Sequence, residues 1–169
     1  MVGASDPLES LRMDLTALPI THRAVIPETY LDEMGHMNVM WYTHLFSQGA
    51  WGLFQMVGMT QDYFTTHHAG SFALSQHFRY LKEVRVGQQV TIRSRVLGRS
   101  EKRWHVMHFM TNDAIADLAA TCEVVSTHVD IRVRRSSPMP PHITEAIDRL
   151  IAEHSRLTWT APVCGAMNA

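Results

Sequence analysis

Apolar and polar positions alternate with period two over several stretches, and elsewhere recur with the 3.6 period of a helix. From Thr21 to Ile26, Arg23 and Val25 alternate with His22, Ala24 and Ile26 until Pro27 stops the run, which predicts a first strand. From Asn38 the pattern changes. Val39, Met40, Trp41, Tyr42, Leu45, Phe46, Ala50, Trp51, Leu53, Phe54, Met56 and Val57 cover almost every face of a helix, and no Asp, Glu, Lys or Arg occurs between Met34 and Gly58. A helix apolar all round belongs inside a protein or a bilayer. Thr43, His44, Ser47, Gln48 and Gly49 break the run well short of the ~20 apolar residues of a membrane span, so a helix buried in the middle of the domain is expected. Asn38 suits its N-cap, and Gly49, Gly52 and Gly58 allow other backbones to approach closely.

Residues 59–70 read as a connecting loop. Residues 71–84 alternate Phe72, Leu74, Gln76, Phe78 and Tyr80 against Ala73, Ser75, His77, Arg79 and Leu81, a second strand. Further strands are predicted over residues 89–98, 103–111 and 114–133, joined by short turns, which makes an antiparallel meander. A proline-rich break follows, and then a last helix with Ile143, Ala146, Ile147, Leu150 and Ile151 on one face and Pro141 in its first turn. The expected class is α+β: about five antiparallel strands wrapped around one long central helix. The division expected is an N-terminal extension over residues 1–20, a short helix or loop lying on the outside; the main domain over residues 21–135; and a C-terminal helix and tail over residues 136–169. Such a sheet leaves its outer strands as unpaired edges, and pairing two sheets edge to edge removes that liability, so a homodimer or homotetramer is expected.

Composition narrows the function classes. The chain has 169 residues, 46% hydrophobic and 18% charged, enough for one domain with a sizeable core. A formal charge of -1 gives no basic footprint for nucleic acid, and no membrane partner is expected either. Cys122 and Cys164 form no CxxC, His67 and His68 lack ligand-spaced partners, and His105 and His108 fall on opposite faces of a strand, so no metal is expected. The first residues carry acids where a signal peptide needs a basic and then apolar run, and the expected location is cytoplasmic. No Gly-x-Ser-x-Gly elbow occurs, which removes an α/β-hydrolase mechanism.

Candidate chemistry gathers ahead of the long helix. A helix N-terminus offers unpaired backbone N–H groups and the positive end of a dipole. Here those donors run from about His36 to Val39, after a turn at Asp32 to Gly35. On residue chemistry alone Asp32 reads first as a turn or capping residue and only second as a catalytic acid.

The residues DEMGHMN at positions 32–38, followed by Tyr42, resemble the Asp-x-x-Gly-His-x-Asn signature of the hot-dog-fold acyl-CoA thioesterases, relatives of 4-hydroxybenzoyl-CoA thioesterase. The stretch FRYLKEVRVGQQVTIRSRV is similar to that family's second and third strands, with Gly87-Gln88 in place of its Gly-Asp turn. The resemblance spans roughly residues 21–155 and implies hydrolysis of an acyl-CoA thioester to free acid and CoA, with no cofactor beyond the CoA of the substrate. It makes Asp32 the nucleophile or the general base, and Val39 the best single oxyanion donor, with Gly35 shaping the turn. His36 is a candidate to hydrogen-bond the substrate carbonyl or Asp32, and Asn38 to orient water or cap the helix. Tyr42 and Trp41 are candidate substrate-binding residues, Tyr42 as packing whose hydroxyl reaches the site and Trp41, with Trp51 and Phe54, as room for the acyl chain. Arg99, Ser100, Lys102 and Arg103 stand where the family has a basic nucleotide-contacting turn; Arg79 and Lys82 are further candidates for the phosphates. An acyl-carrier-protein thioesterase and a non-catalytic acyl-CoA-binding module are the competing readings.

Overall fold

The computed structural model describes residues 13–169. The chain runs through β1 (Ile20–Val25), α1 (Val39–Met56), α2 (Gln61–His67), β2 (Ala69–Tyr80), β3 (Gln89–Arg99), β4 (Arg103–Asn112), β5 (Asp117–Asp130), β6 (Arg135–Ser136) and α3 (Pro141–His154). The strands form one antiparallel sheet in the order β1-β3-β4-β5-β2, with β6 returning beside β5. The meander expected for the third, fourth and fifth strands is β3-β4-β5. The edges are β1 and β2, one on each side of it.

Helix α1 lies on the inner face of the sheet. Tyr42, Leu45, Phe46, Gly49 and Leu53 are buried at the i, i+3, i+4, i+7, i+11 spacing of one helical stripe. Leu45, Phe46 and Leu53 are each 1% exposed, and burial of side chains this size stabilises by about 1.5–3 kcal/mol each. Gly52 lets the helix press onto β1, where a Cβ would meet the Thr21 carbonyl oxygen at 1.9 Å. The helix is nevertheless not buried on all sides, as its composition suggested. Val39 and Met40 are each 59% exposed and Met56 is 49% exposed, because the five strands of one chain cover only one side of it. Strand β2 is open in the same way: residues 72–77 are exposed, with Phe72 and Leu74 among them.

The structure departs from the sequence reading at three further points. The expected loop at residues 59–70 contains α2, capped by the Thr60 hydroxyl accepting from the Tyr63 N–H and ended by His68 in the left-handed conformation. Tyr63 anchors it, with its hydroxyl 2.8 Å from His128 Nε2 on β5. The second strand starts at Ala69 and ends at Tyr80 rather than Val84, since Leu81 and Lys82 both turn their N–H groups to the Ala119 carbonyl. The long fifth strand is shorter at both ends. Ala116 and Arg134 take positive φ, and Asp130 accepts the Arg132 N–H to turn the chain into β6.

The outer face of the sheet is covered by both ends of the chain. Of the expected N-terminal extension, residues 1–12 lie outside the described residues. Leu18 packs on Met107 and Phe109, and the tail brings Leu157 and Trp159 to the same cluster. Arg95 clamps the tail, donating to the Trp159 and His154 carbonyls and sitting 4.3 Å from the Trp159 ring centroid. Glu123, fully buried, accepts from the Cys164 N–H at 2.6 Å and pairs with His105 at 2.8 Å. Among the described residues no helix is long and apolar enough to cross a membrane.

Candidate active site

The Asp32 loop is a closed turn built from its own backbone. The Asp32 N–H donates to the His36 carbonyl, and the Gly35 N–H donates back to the Asp32 carbonyl, with Gly35 at φ +82 where a side chain is disfavoured. Two bonds attach the loop to the body: Met37 N–H to the Val84 carbonyl, and Asn38 N–H to the Tyr30 carbonyl. Within the turn, Asp32 Oδ1 accepts the Met34 N–H at 2.9 Å, and Oδ2 lies 3.3 Å from His36 Nδ1. The carboxylate keeps 20% of its surface open, while Glu33 is exposed.

The first turn of α1 begins directly after it. Asn38 Oδ1 accepts the Met40 N–H at 2.9 Å, and the Asn38 carbonyl accepts from Trp41. The Val39 N–H, first of the helix, has no partner within it and stands at an exposed position. Asn38→Ala removes the cap and is expected to lower stability by about 1 kcal/mol, read as a drop in thermal midpoint.

A cavity of about 230 Å³ adjoins this turn, between Val39 and Tyr42 on the helix and Tyr80 and Lys82 beyond it. Tyr42 donates to the Lys82 carbonyl at 3.4 Å and packs edge-on against Tyr80; burial pushes its hydroxyl pKa up to about 12, so it stays protonated. Trp41 stacks on Tyr30, centroids 3.7 Å apart, on a different side of the helix from Tyr42.

The remaining sequence candidates lie elsewhere. Trp104, at the start of β4, stacks on Phe54 in the last turns of α1, which fixes the β3–β4 hairpin at that end of the helix. The Asp32 loop is at the other end of this 18-residue helix, which is about 27 Å long. A single chain therefore does not bring Arg99, Ser100, Lys102 and Arg103 to Asp32. Arg99 is held by two bonds, 2.7 and 2.6 Å, to Asp148 on α3, and Ser100 Oγ accepts the Arg103 N–H inside the hairpin. Arg79 pairs in register with Thr121 and, between inward Phe78 and Tyr80, points to the outer face of the sheet.

A larger cavity of about 380 Å³ lies between the C-terminal half of α1 and the inner face of β2, β4 and β5. Phe46, Trp51 and Phe54 wall it on the helix side, and Trp104 and His108 on the sheet side. Val39, Tyr42, Phe46, Ala50 and Phe54 recur along the helix at three- and four-residue steps, so both cavities lie along one seam between α1 and β2. His108 is 1% exposed, and burial lowers its pKa to about 4, which leaves it neutral. Its Nδ1 is 2.6 Å from Ser94 Oγ, which is 2.8 Å from Thr21 Oγ1. His105 and His108 do face opposite sides, as their spacing indicated, with His105 on Glu123 outside and His108 at the cavity inside. Sequence spacing gave no sign of the cavity lining; a histidine and a serine on otherwise apolar inward positions were the available signal.

Spacing also missed a cluster on the outer face. His77, Glu123 and Cys164 offer ligand atoms within 4.8 Å of one another, but both Glu123 oxygens already accept protein hydrogen bonds, and the group clasps the tail.

An antiparallel sheet curled around one long helix, with a carboxylate turn at the helix mouth, is a hot-dog architecture. Residues 26–147 match the thioesterase-like superfamily, and the chain belongs to that family. It is 30% identical over 132 residues to an L-carnitine dehydrogenase/betainyl-CoA thioesterase of Agrobacterium fabrum, covering 78% of this chain and 27% of that protein. The chain thus spans about a quarter of that longer relative. A betainyl-CoA thioesterase of Pseudomonas aeruginosa is 27% identical over 79% of this chain and 83% of its own. Among solved structures, a Staphylococcus aureus protein in complex with CoA superposes with a TM-score of 0.78 at 22% identity, over 85% of this chain and 90% of that one. That likeness carries the fold.

Proposed function

We propose that this chain is an acyl-CoA thioesterase whose reaction centre is Asp32 and the first turn of α1. The carrying observation is a partly open carboxylate in the turn that leads directly into α1, together with the one first-turn N–H, that of Val39, that neither Asn38 nor the helix takes up. In hydrolysis, water adds to the carbonyl carbon, the C–S bond breaks, and CoA leaves as the thiol with the proton water supplies. The carbonyl oxygen gains charge as this happens, and the Val39 N–H at the positive end of the helix dipole answers it. Asp32 Oδ1 is held by Met34, so Oδ2 is the oxygen offered to the carbonyl carbon or to its attacking water. His36 holds that oxygen in position. Incubation with a panel of acyl-CoAs, followed by free-thiol release, tests the reading. Thiol release above the uncatalysed rate supports it, and none from any member overturns it.

The same reading includes a homodimer joined along β2. The exposed stretch of β2, with Phe72 and Leu74, and the uncovered side of α1 are both apolar surfaces that a second copy would bury. Trp104 and Arg103 sit beside the Ser71–Phe72 end of β2 through β5, and the Asp32 loop is bonded to Val84 beyond its Tyr80 end. Antiparallel pairing of two β2 strands therefore sets the hairpin and large cavity of one chain beside the Asp32 loop of the other. Lys102 and Arg103 would then meet the phosphates of CoA bound at the partner's thioester centre, Arg99 being committed to Asp148. Leu74→Lys on this edge is expected to shift the protein from dimer to monomer in light scattering and to lower turnover with it; an unchanged mass would remove this interface.

A further inference from the structure

Three polar atoms inside the larger cavity have no partner. Ser71 Oγ on β2 and Trp104 Nε1 and His108 Nε2 on β4 are shielded from solvent and make no hydrogen bond among the described residues. All three residues line the same space. Buried polar groups are paired in nearly all native structures, and an isolated one is costly, so three lining one cavity indicate an occupant that pairs with them. Ser71 and Trp104 lie towards one end of it, through His128 and Ser126 of β5, and His108 lies further along, opposite Cys122. At about 380 Å³ the cavity far exceeds the ~30 Å³ of one water.

We infer that the acyl group taken by this protein carries an uncharged hydrogen-bonding group, a hydroxyl or a carbonyl, at its far end, seated at the Ser71 and Trp104 end of this cavity. The inference rests on the thioesterase reading and names the substrate class of that site. Trp104 Nε1–H is a donor only, and the Ser71 hydroxyl gives and accepts, so together they satisfy a single oxygen. The His108 ring is fixed from behind by Ser94, so its Nε2 is presented at a set angle. Among the described residues no Asp, Glu, Lys or Arg lines the cavity, and His108 is neutral, so a carboxylate or an ammonium at the acyl terminus would enter without a counter-charge from them. Aromatic faces do attract quaternary ammonium groups, and Trp51, Phe54 and Trp104 supply such rings. A trimethylammonium group would still leave the three polar atoms unpaired, as would a plain alkyl chain. Selection therefore runs against both, and against the betainyl group in the names of the relatives.

The test is kcat/KM for octanoyl-CoA, ω-hydroxyoctanoyl-CoA and betainyl-CoA on the wild type and on Ser71→Ala and Trp104→Phe. Each variant removes a hydrogen-bonding atom and keeps most of the cavity wall. The hydroxyacyl substrate is expected to exceed octanoyl by about ten-fold or more, and each variant to cut that ratio several-fold. A loss of fold would lower both substrates together, so the ratio separates recognition from stability. Calorimetric binding of the same three compounds to Asp32→Asn gives the ratio without turnover. Absent hydrolysis would overturn the thioesterase reading alone, while the binding ratio still decides this inference. Equal or stronger use of octanoyl-CoA or betainyl-CoA, or variants that leave the ratio unchanged, would overturn it.

Discussion

Asp32→Asn is expected to lower kcat on acyl-CoA by about two to four orders of magnitude, the usual contribution of a positioned carboxylate, with little change in KM. The substitution is isosteric, and an amide oxygen still accepts the Met34 N–H that holds the turn, so the loop keeps its shape. What it loses is the negative charge opposite His36 and the basicity of Oδ2. Thermal midpoint should therefore stay near that of the wild type. Glu33→Gln is the matched control, since that side chain is exposed one residue along, and its turnover should equal the wild type. Thiol release measured on all three proteins with one saturating acyl-CoA decides the matter. Equal loss in both variants would point to the charge of the loop rather than to Asp32.

Among the described glycines, Gly52→Ala is expected to have the largest effect on stability. In a helix interior this change ordinarily stabilises by about 1 kcal/mol. Here the new Cβ would lie 1.9 Å from the Thr21 carbonyl oxygen and 2.8 Å from its carbon, both backbone atoms of β1. Neither can swing aside, so α1 and β1 must separate. The sign reverses, to a loss of about 3 kcal/mol or more, or roughly 6–12 °C in thermal midpoint for a domain of this size. At Gly49 the close neighbour is the Ile92 Cγ2 methyl at 2.8 Å, a side chain with some freedom, so Gly49→Ala should cost less. Calorimetric melts of the two variants check both the sign and the order.

The elements legible in the sequence are those whose pattern arises from one local cause. Strands β3 and β4 follow their alternation closely, and α1 follows from an uncharged apolar run with Asn38 ahead of it. Strand β5 was overread because Ile131 and Val133 continue the alternation past Asp130, where a side-chain bond to the backbone turns the chain. Helix α2 was missed because seven largely polar residues carry little periodicity; it is held by the Thr60 cap and by Tyr63 reaching His128, a contact between distant parts of the chain. Composition marked α1 as apolar all round but not which surface covers each side, and the uncovered side and the β2 edge account for the difference. The Asp32 turn was legible as a motif, since its bonds are local. The hairpin cations were legible as residues, but their place at the opposite end of α1 from Asp32 depends on the direction of that helix. Ser71, Trp104 and His108 come to line one cavity only through the sheet register, which no spacing rule contains.

In the proposed dimer each thioesterase centre joins Asp32 of one chain to the hairpin of the other. Mixing two inactive proteins tests it most directly: Asp32→Asn, and a chain with Lys102→Glu and Arg103→Glu. Refolded together in equal amounts, half the dimers are mixed and each has one intact centre, so about a quarter of wild-type thiol release should return. Recovery no greater than the sum of the two parents would contradict a shared centre.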